Sequence, residues 1–136
     1  MLSRTFTIPV RVYIEDTDAG GIVYYANYLR YMERARTDWL REAGVDLVAW
    51  QYERKRMFVV HSVALRYRLP ARYNDLLAVT ATLVRDRRVS LELEQQVRRG
   101  DELLVSGSVE LACVDPGTLK PAAIPSTILE AIASGD

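Results

Sequence analysis

The chain has 136 residues, enough for one domain whose core needs no disulfide or metal staple. Eighteen Lys and Arg balance eighteen Asp and Glu, so no global field draws it to nucleic acid or an anionic membrane, and a small-molecule or protein partner is expected. Its single cysteine, Cys113, excludes an intramolecular disulfide; residues 1–6 lack a signal-type apolar region and no run approaches the roughly 20 apolar residues of a membrane span, so a cytoplasmic location is expected.

Phe6, Ile8, Val10, Val12 and Ile14 alternate with Thr5, Thr7, Arg11, Tyr13 and Glu15, which predicts a half-buried strand. Pro9 inside it points to an edge strand or a bulge, because proline has no N–H for a ladder. The acids Glu15, Asp16 and Asp18 follow, then Gly20-Gly21, and there the period changes. Tyr28, Met32, Ala35 and Trp39 repeat at helical spacing, with Leu29, Leu40 and Ala43 widening the stripe and Arg30, Glu33, Arg34, Arg36, Arg41 and Glu42 largely outside it. These predict an amphipathic helix of about five turns, ended by Gly44.

Gln51–Arg56 reads as a charged loop. Strands are expected over Met57–Leu69, Asp75–Asp86, Arg88–Arg98 and Leu103–Val114; the third sets Val89, Leu91, Leu93, Gln95 and Val97 on the face opposite Ser90, Glu92, Glu94 and Gln96. Pro70–Asp75, Asp86–Arg88 and Arg99–Asp101 supply the turns between them, and Pro125–Ile132 reads as a short terminal helix. The expected class is α+β: one strand, one long helix, then four consecutive antiparallel strands, with the sheet wrapped around the helix. Such a sheet leaves edges uncovered, so a homo-oligomer is expected.

The acid-Gly-Gly-helix order has chemical content. It sets a carboxylate near the positive end of a helix dipole, where amides can polarise a carbonyl while the carboxylate attacks it or activates water. On spacing alone the plainer reading is an acid that stabilises the helix dipole.

Glu15-Asp16-Thr17-Asp18-Ala19-Gly20-Gly21-Ile22-Val23-Tyr24-Tyr25-Ala26-Asn27-Tyr28, followed by Tyr31-Met32-Glu33-Arg34-Ala35-Arg36-Thr37, resembles the hotdog-fold acyl-CoA thioesterases of the 4-hydroxybenzoyl-CoA thioesterase type, in their Tol-Pal-associated YbgC branch. Phe58-Val59-Val60, Pro70-Ala71-Arg72 with Asp75, Cys113-Val114-Asp115-Pro116 and Lys120-Pro121 extend the resemblance over nearly the whole chain. It implies a five-stranded antiparallel sheet around one long helix. It implies that Asp18 is the catalytic carboxylate, as nucleophile or as general base, and that the Tyr25 amide donates to the thioester carbonyl. It also implies an active site at a subunit interface of a homo-oligomer, a dimer or a tetramer built as a dimer of dimers. CoA would then be part of the substrate, with an acyl carrier protein thioester as the other form, and no cofactor would be bound. The YbgC branch often carries His where Tyr25 stands; a backbone amide survives that exchange, but a side-chain role at the position, and the acyl preference with it, does not carry over.

Gly20 and Gly21 read as turn glycines of positive φ, where a side chain would also crowd an approaching thioester, and Tyr24 is a candidate lining of the acyl pocket. Arg87-Arg88-x-Ser90 matches a basic hairpin that in the thioesterases reaches the phosphates of CoA. Asp16 reads as a turn-stabilising acid, Glu33 as solvated, Arg34 and Arg36 as structural, and Cys113 as a small buried hydrophobe. His61, the lone imidazole, excludes a His-rich metal site and reads as a packed core or interface histidine. Two other functions fit the pattern. One is an acyl-thioester hydratase or dehydratase on the same fold, which would want a histidine near the helix. The other is a non-catalytic acyl-binding or scaffold protein of a Tol-Pal-type envelope system.

Overall fold

A computed structural model describes residues 4–134. In chain order it contains β1 (Phe6–Arg11), a single 3-10 turn (Ile14–Asp16), α1 (Asn27–Glu42), a short α2 (Leu47–Ala49), β2 (Met57–Tyr67), β3 (Leu76–Asp86), β4 (Ser90–Arg99), β5 (Glu102–Val114) and α3 (Ser126–Ser134). The five strands form one antiparallel sheet in the order β1-β3-β4-β5-β2. β1 is an edge strand, which accommodates Pro9 opposite Ala78.

The order differs from four strands paired in succession. β1 and β4 occupy both sides of β3, so β2 pairs with the free edge of β5, from Met57↔Val114 to Tyr67↔Val105 with one register shift between Val60 and Ser62. The Pro70–Asp75 stretch is therefore not a hairpin turn. It is a link from one edge of the sheet to its interior, and it passes the start of α1, where the Ala71 amide donates to the Tyr28 hydroxyl at 3.1 Å.

α1 lies on one face of the sheet and divides the core in two. Tyr28, Tyr31, Met32 and Ala35 pack with Val10, Val12, Leu77, Val79, Val97 and Val105. Trp39 and Leu40 pack with Leu83, Leu91, Leu93, Val109, Leu111, Cys113 and Ile132. A polar layer lies among them. Gln95 is fully buried; its Nε2 donates to the carbonyls of Met32 (3.0 Å) and Thr80 (3.1 Å), and its Oε1 accepts from Arg36 at 2.9 Å. Gln95 thus faces inward as its strand period requires, but Arg36 is only 8% exposed and belongs to the buried face of α1 rather than the solvent face. A partner for its guanidinium, supplied from β4, is what makes that burial tolerable.

Four further expectations change. β1 ends before Ile14, which is 69% exposed in the 3-10 turn, because the Asp16 carboxylate takes the Tyr13 amide and curls the chain. Leu29 is exposed, on the flank of α1 that no strand covers. Gln51–Arg56 is mostly helical: Asp46 caps α2 through the amides of Val48 and Ala49, a wider π-type turn runs over Trp50–Arg54, and Lys55 ends it in left-handed backbone (φ 52°). The buried Trp50 anchors this segment by stacking on Phe58 at 5.0 Å. His61 is exposed at a bulge of β2, with Nε2 3.6 Å from Glu110, so it is not a packed core residue of the protomer.

Candidate active site

The segment between the 3-10 turn and α1 is a miniature hairpin. Thr17 pairs with Val23, the Asp18 amide donates to the Ile22 carbonyl at 2.9 Å, and the Gly21 amide donates back to the Asp18 carbonyl at 3.0 Å. Asp18 thus starts a tight turn, and its own Oδ1 accepts the Gly20 amide at 2.8 Å, an Asx-type closure. Of the two glycines only Gly21 has positive φ (81°). Gly20 has a different reason: a Cβ there would stand 3.2 Å from Asp18 Oδ1, against the atom the turn orients. The hairpin rests on the crossing link, through Val23 N to Ala71 O at 2.9 Å and the Ile22–Arg72 bridge.

Asp18 is exposed, and among the described residues its Oδ2 has no protein donor. One oxygen is held and the other faces outward, a geometry suited to attack or to accepting a proton from water. The family resemblance implied a Tyr25 amide at the start of the helix. α1 starts two residues later, at Asn27, and Tyr25 lies in the preceding turn. Its N–H has no acceptor among the described residues, while its carbonyl takes the Tyr67 hydroxyl at 3.4 Å. A free amide beside a helix start is the kind of donor that meets a developing oxyanion without rearranging.

Tyrosines surround that amide. Tyr24 and Tyr25 are exposed, with ring centroids 4.9 Å apart; Tyr25 meets Tyr67 edge-on at 6.3 Å, and Tyr67 lies 5.7 Å from Tyr28. The Tyr24 phenol is pushed above its usual pKa, first by the adjacent Tyr25 phenol and further by partial burial and the Asp18 charge. Tyr24 is therefore not a core residue, and its ring stands close enough to feel the carboxylate. Tyr67, absent from the sequence-derived site, comes from β2; only the strand order brings it to α1. Alternation along β2 gives no hint of that contact.

Asp16 holds the framework. Its Oδ2 accepts the Tyr13 amide at 2.8 Å, and its carbonyl accepts both the Tyr24 amide (2.9 Å) and Asn27 Nδ2 (2.8 Å). Tyr31 is 1% exposed and its hydroxyl has no hydrogen-bond partner among the described residues; burial raises its pKa well above the usual phenol range, helped by the nearby Asp16 carboxylate.

Arg87, Arg88 and Ser90 are not brought to this site within the chain. The Arg87 amide donates to the Ser90 carbonyl and closes the β3–β4 turn, and Arg88 O accepts the Ile124 amide. β3 runs from Leu76, opposite Arg11, to Asp86, so the hairpin lies roughly 30 Å along the sheet from the acid turn at about 3.3 Å per residue. Glu33 is exposed, Arg34 lies over the Tyr31 ring at 5.7 Å, and Cys113 is fully buried with its thiol pushed up to about 11 by burial. Among the described residues no cluster of His, Cys, Asp and Glu could hold a metal ion, and no helix is long and apolar enough to cross a membrane.

Residues 12–132 match the sequence model of the thioesterase-like superfamily. The chain is 41% identical to the acyl-CoA thioesterase YbgC of Haemophilus influenzae, with 94% of each covered. It is 40% identical to the acyl-CoA thioester hydrolase YbgC of Escherichia coli, over 95% of this chain and 96% of that one. Its structure resembles a probable thioesterase from Bartonella henselae (TM-score 0.84, 31% identity, 90% of this chain and all of the other). It also shares its fold with a 4-hydroxybenzoyl CoA thioesterase mutant solved with 4-hydroxybenzoyl CoA (TM-score 0.89, 23% identity, 96% and 99% covered).

Proposed function

We propose that this chain, which belongs to the thioesterase-like superfamily, hydrolyses acyl-CoA thioesters to a free acid and CoA. The observation that carries the reading is that a half-free Asp18 carboxylate and an acceptor-free Tyr25 amide both lie, among the described residues, on the short segment that leads into α1. In one route Asp18 attacks the thioester carbon, the carbonyl oxygen takes up negative charge and accepts the Tyr25 N–H, and thiolate leaves. The resulting mixed anhydride is cleaved by water, which regenerates the carboxylate. In the other route Asp18 removes a proton from water, and the hydroxide attacks the same carbon. Both require the amide, and a donor of this kind typically contributes about 3 kcal/mol to lowering the barrier. Thiolate is a good leaving group, so no strong acid is needed; CoA is part of the substrate and no cofactor takes part. An acyl carrier protein thioester presents the same bond. A hydratase reading finds no support, since the one imidazole sits at the β2 bulge beside Glu110.

The working unit in this reading is a dimer joined through β2, in the cytoplasm where acyl-CoA is found. β2 pairs on one side only and exposes Val60 (50%), Val63 (43%) and Tyr67 (48%), an unpaired apolar edge that a second copy would cover. Antiparallel pairing of two β2 edges reverses the sheet. The Arg87–Arg88–Ser90 hairpin of the second copy then comes to the end that carries Asp18, on the side where CoA phosphates would lie. A dimer of two such dimers gives the tetramer.

The test is release of free thiol from acyl-CoAs of graded chain length and from aromatic acyl-CoAs, with an acyl carrier protein thioester as a further arm. Turnover of a thioester supports the reading. If the protein binds acyl thioesters and turns over none, the binding or scaffold role replaces it.

A further inference from the structure

The Tyr25 amide is free because of a turn, and one residue closes that turn and ties it down. Asn27 N donates to Tyr24 O at 2.8 Å, so residues 24–27 form a β-turn with Tyr25 and Ala26 at its centre, Ala26 at φ −70°, ψ −19°. The closing bond of a β-turn joins its first and last residues and does not use the N–H of the second, which is why the Tyr25 amide is left without an acceptor among the described residues. The Asn27 side chain then reaches back eleven residues: Nδ2 donates at 2.8 Å to the carbonyl of Asp16, the oxygen that also accepts Tyr24 N. Asp16 is itself fixed by the Tyr13 amide and stands two residues before Asp18. Ala26 gives α1 no side-chain cap, and Asn27 directs its amide away from the helix, into the turn that carries the carboxylate.

We propose that Asn27 is a positioning residue that sets the Tyr25 amide against Asp18, governing turnover rather than substrate affinity. This rests on the hydrolase reading above. Without Nδ2 the turn remains closed by its main chain but, among the described residues, keeps a single hydrogen bond to the acid segment, from Tyr24 N to Asp16 O. Displacements of about 1 Å in such arrangements cost up to a hundredfold in rate.

The experiment compares Asn27→Ala and Asn27→Asp with the parent, each also in an Asp18→Asn background. Asn27→Asp keeps the shape and places a negative charge where the helix dipole favours it, yet has no donor for Asp16 O, so its loss of rate is not a loss of helix. Both variants are expected to lose about tenfold or more in kcat with KM changed less than about threefold. In the Asp18→Asn background the same change is expected to cost nothing more. An unchanged kcat, a rise in KM alone, or an equal loss in the Asp18→Asn background overturns the proposal. The parent assay separates this from the hydrolase reading: a parent that releases no thiol sinks that reading and the catalytic role with it. Amide exchange then still tests the tie itself, since Asn27→Ala must speed exchange at the Tyr24 amide.

Discussion

Replacing Gln95 by leucine tests the polar layer in the core. Gln95 makes three buried hydrogen bonds, and it supplies the one acceptor for the Arg36 guanidinium among the described residues. Burial pulls the Arg36 pKa below its ordinary value, with the Glu33 charge opposing, but arginine does not give up its proton. Gln95→Leu therefore leaves a cation buried without a partner, at a cost of about 3–5 kcal/mol. The two carbonyls contribute less, since each loses one neutral bond worth about 1 kcal/mol. At roughly 2–4 °C per kcal/mol, Tm should fall by about 10 °C or more. Arg36→Met alone leaves only a neutral acceptor unmet, about 1–3 kcal/mol. The double variant Arg36→Met/Gln95→Leu removes charge and partner together, loses only the two carbonyl bonds, and should recover to within about 2 kcal/mol of the parent. Denaturant unfolding of the four proteins gives the coupling directly, expected at about 2 kcal/mol or more. Additive losses, with the double variant the least stable, would refute the idea that the pair is held by mutual need.

Asp18→Asn keeps an oxygen to accept the Gly20 amide but has neither nucleophile nor base, so thiol release should fall by about 10²–10⁴ with the fold intact; activity near the parental level removes Asp18 from the chemistry. Asp75 accepts the Arg72 amide and the Arg99 guanidinium, each at 2.8 Å. Burial raises its pKa, but these bonds and the Arg99 charge outweigh it and the net shift is downward. A depressed folded value means stabilisation that is present above the unfolded value of about 3.9 and lost as pH falls through the folded one. Asp75→Asn should thus be less stable than the parent at pH 7, with the two unfolding curves converging in the acid range below about pH 4; a constant gap would contradict the ion pair's role. Cys113, fully buried and with its thiol pushed up to about 11, should resist thiol reagents at pH 8 until the protein is denatured, and rapid labelling of the native protein would show that β5 opens.

The elements were legible where side chains obey a local period. The alternation of β4 placed Gln95 on the inward face, and the 3.6-residue repeat of α1 identified Tyr28, Met32, Ala35 and Trp39 as core. The acid-Gly-Gly turn was legible because Asp18, Gly20 and Gly21 interact within four residues of each other. Local periods stop where a contact crosses the chain. Arg36 looked like a solvent-face arginine because its acceptor lies 59 residues away, and Leu29 looked like core because the sequence does not say how far the sheet wraps. Ile14 continued the period of β1 until the Asp16 carboxylate captured the Tyr13 amide and turned the chain.

The sequence by itself determined the α+β class, the long helix and the identity of the acid turn, and it narrowed the proline-bearing strand to an edge or a bulge, because each follows from the preferences of neighbouring residues. Tertiary structure decided the rest. It sent β2 to the free edge of β5, since both sides of β3 were taken, and so brought Tyr67 to the Tyr25 carbonyl. It started α1 at Asn27 and left the Tyr25 amide in a turn fixed by Asp16. It held Arg87 and Arg88 at the far end of the sheet from Asp18. Strand order and the reach of a side chain over dozens of residues depend on which edges remain free once the chain has packed, and no local pattern encodes that.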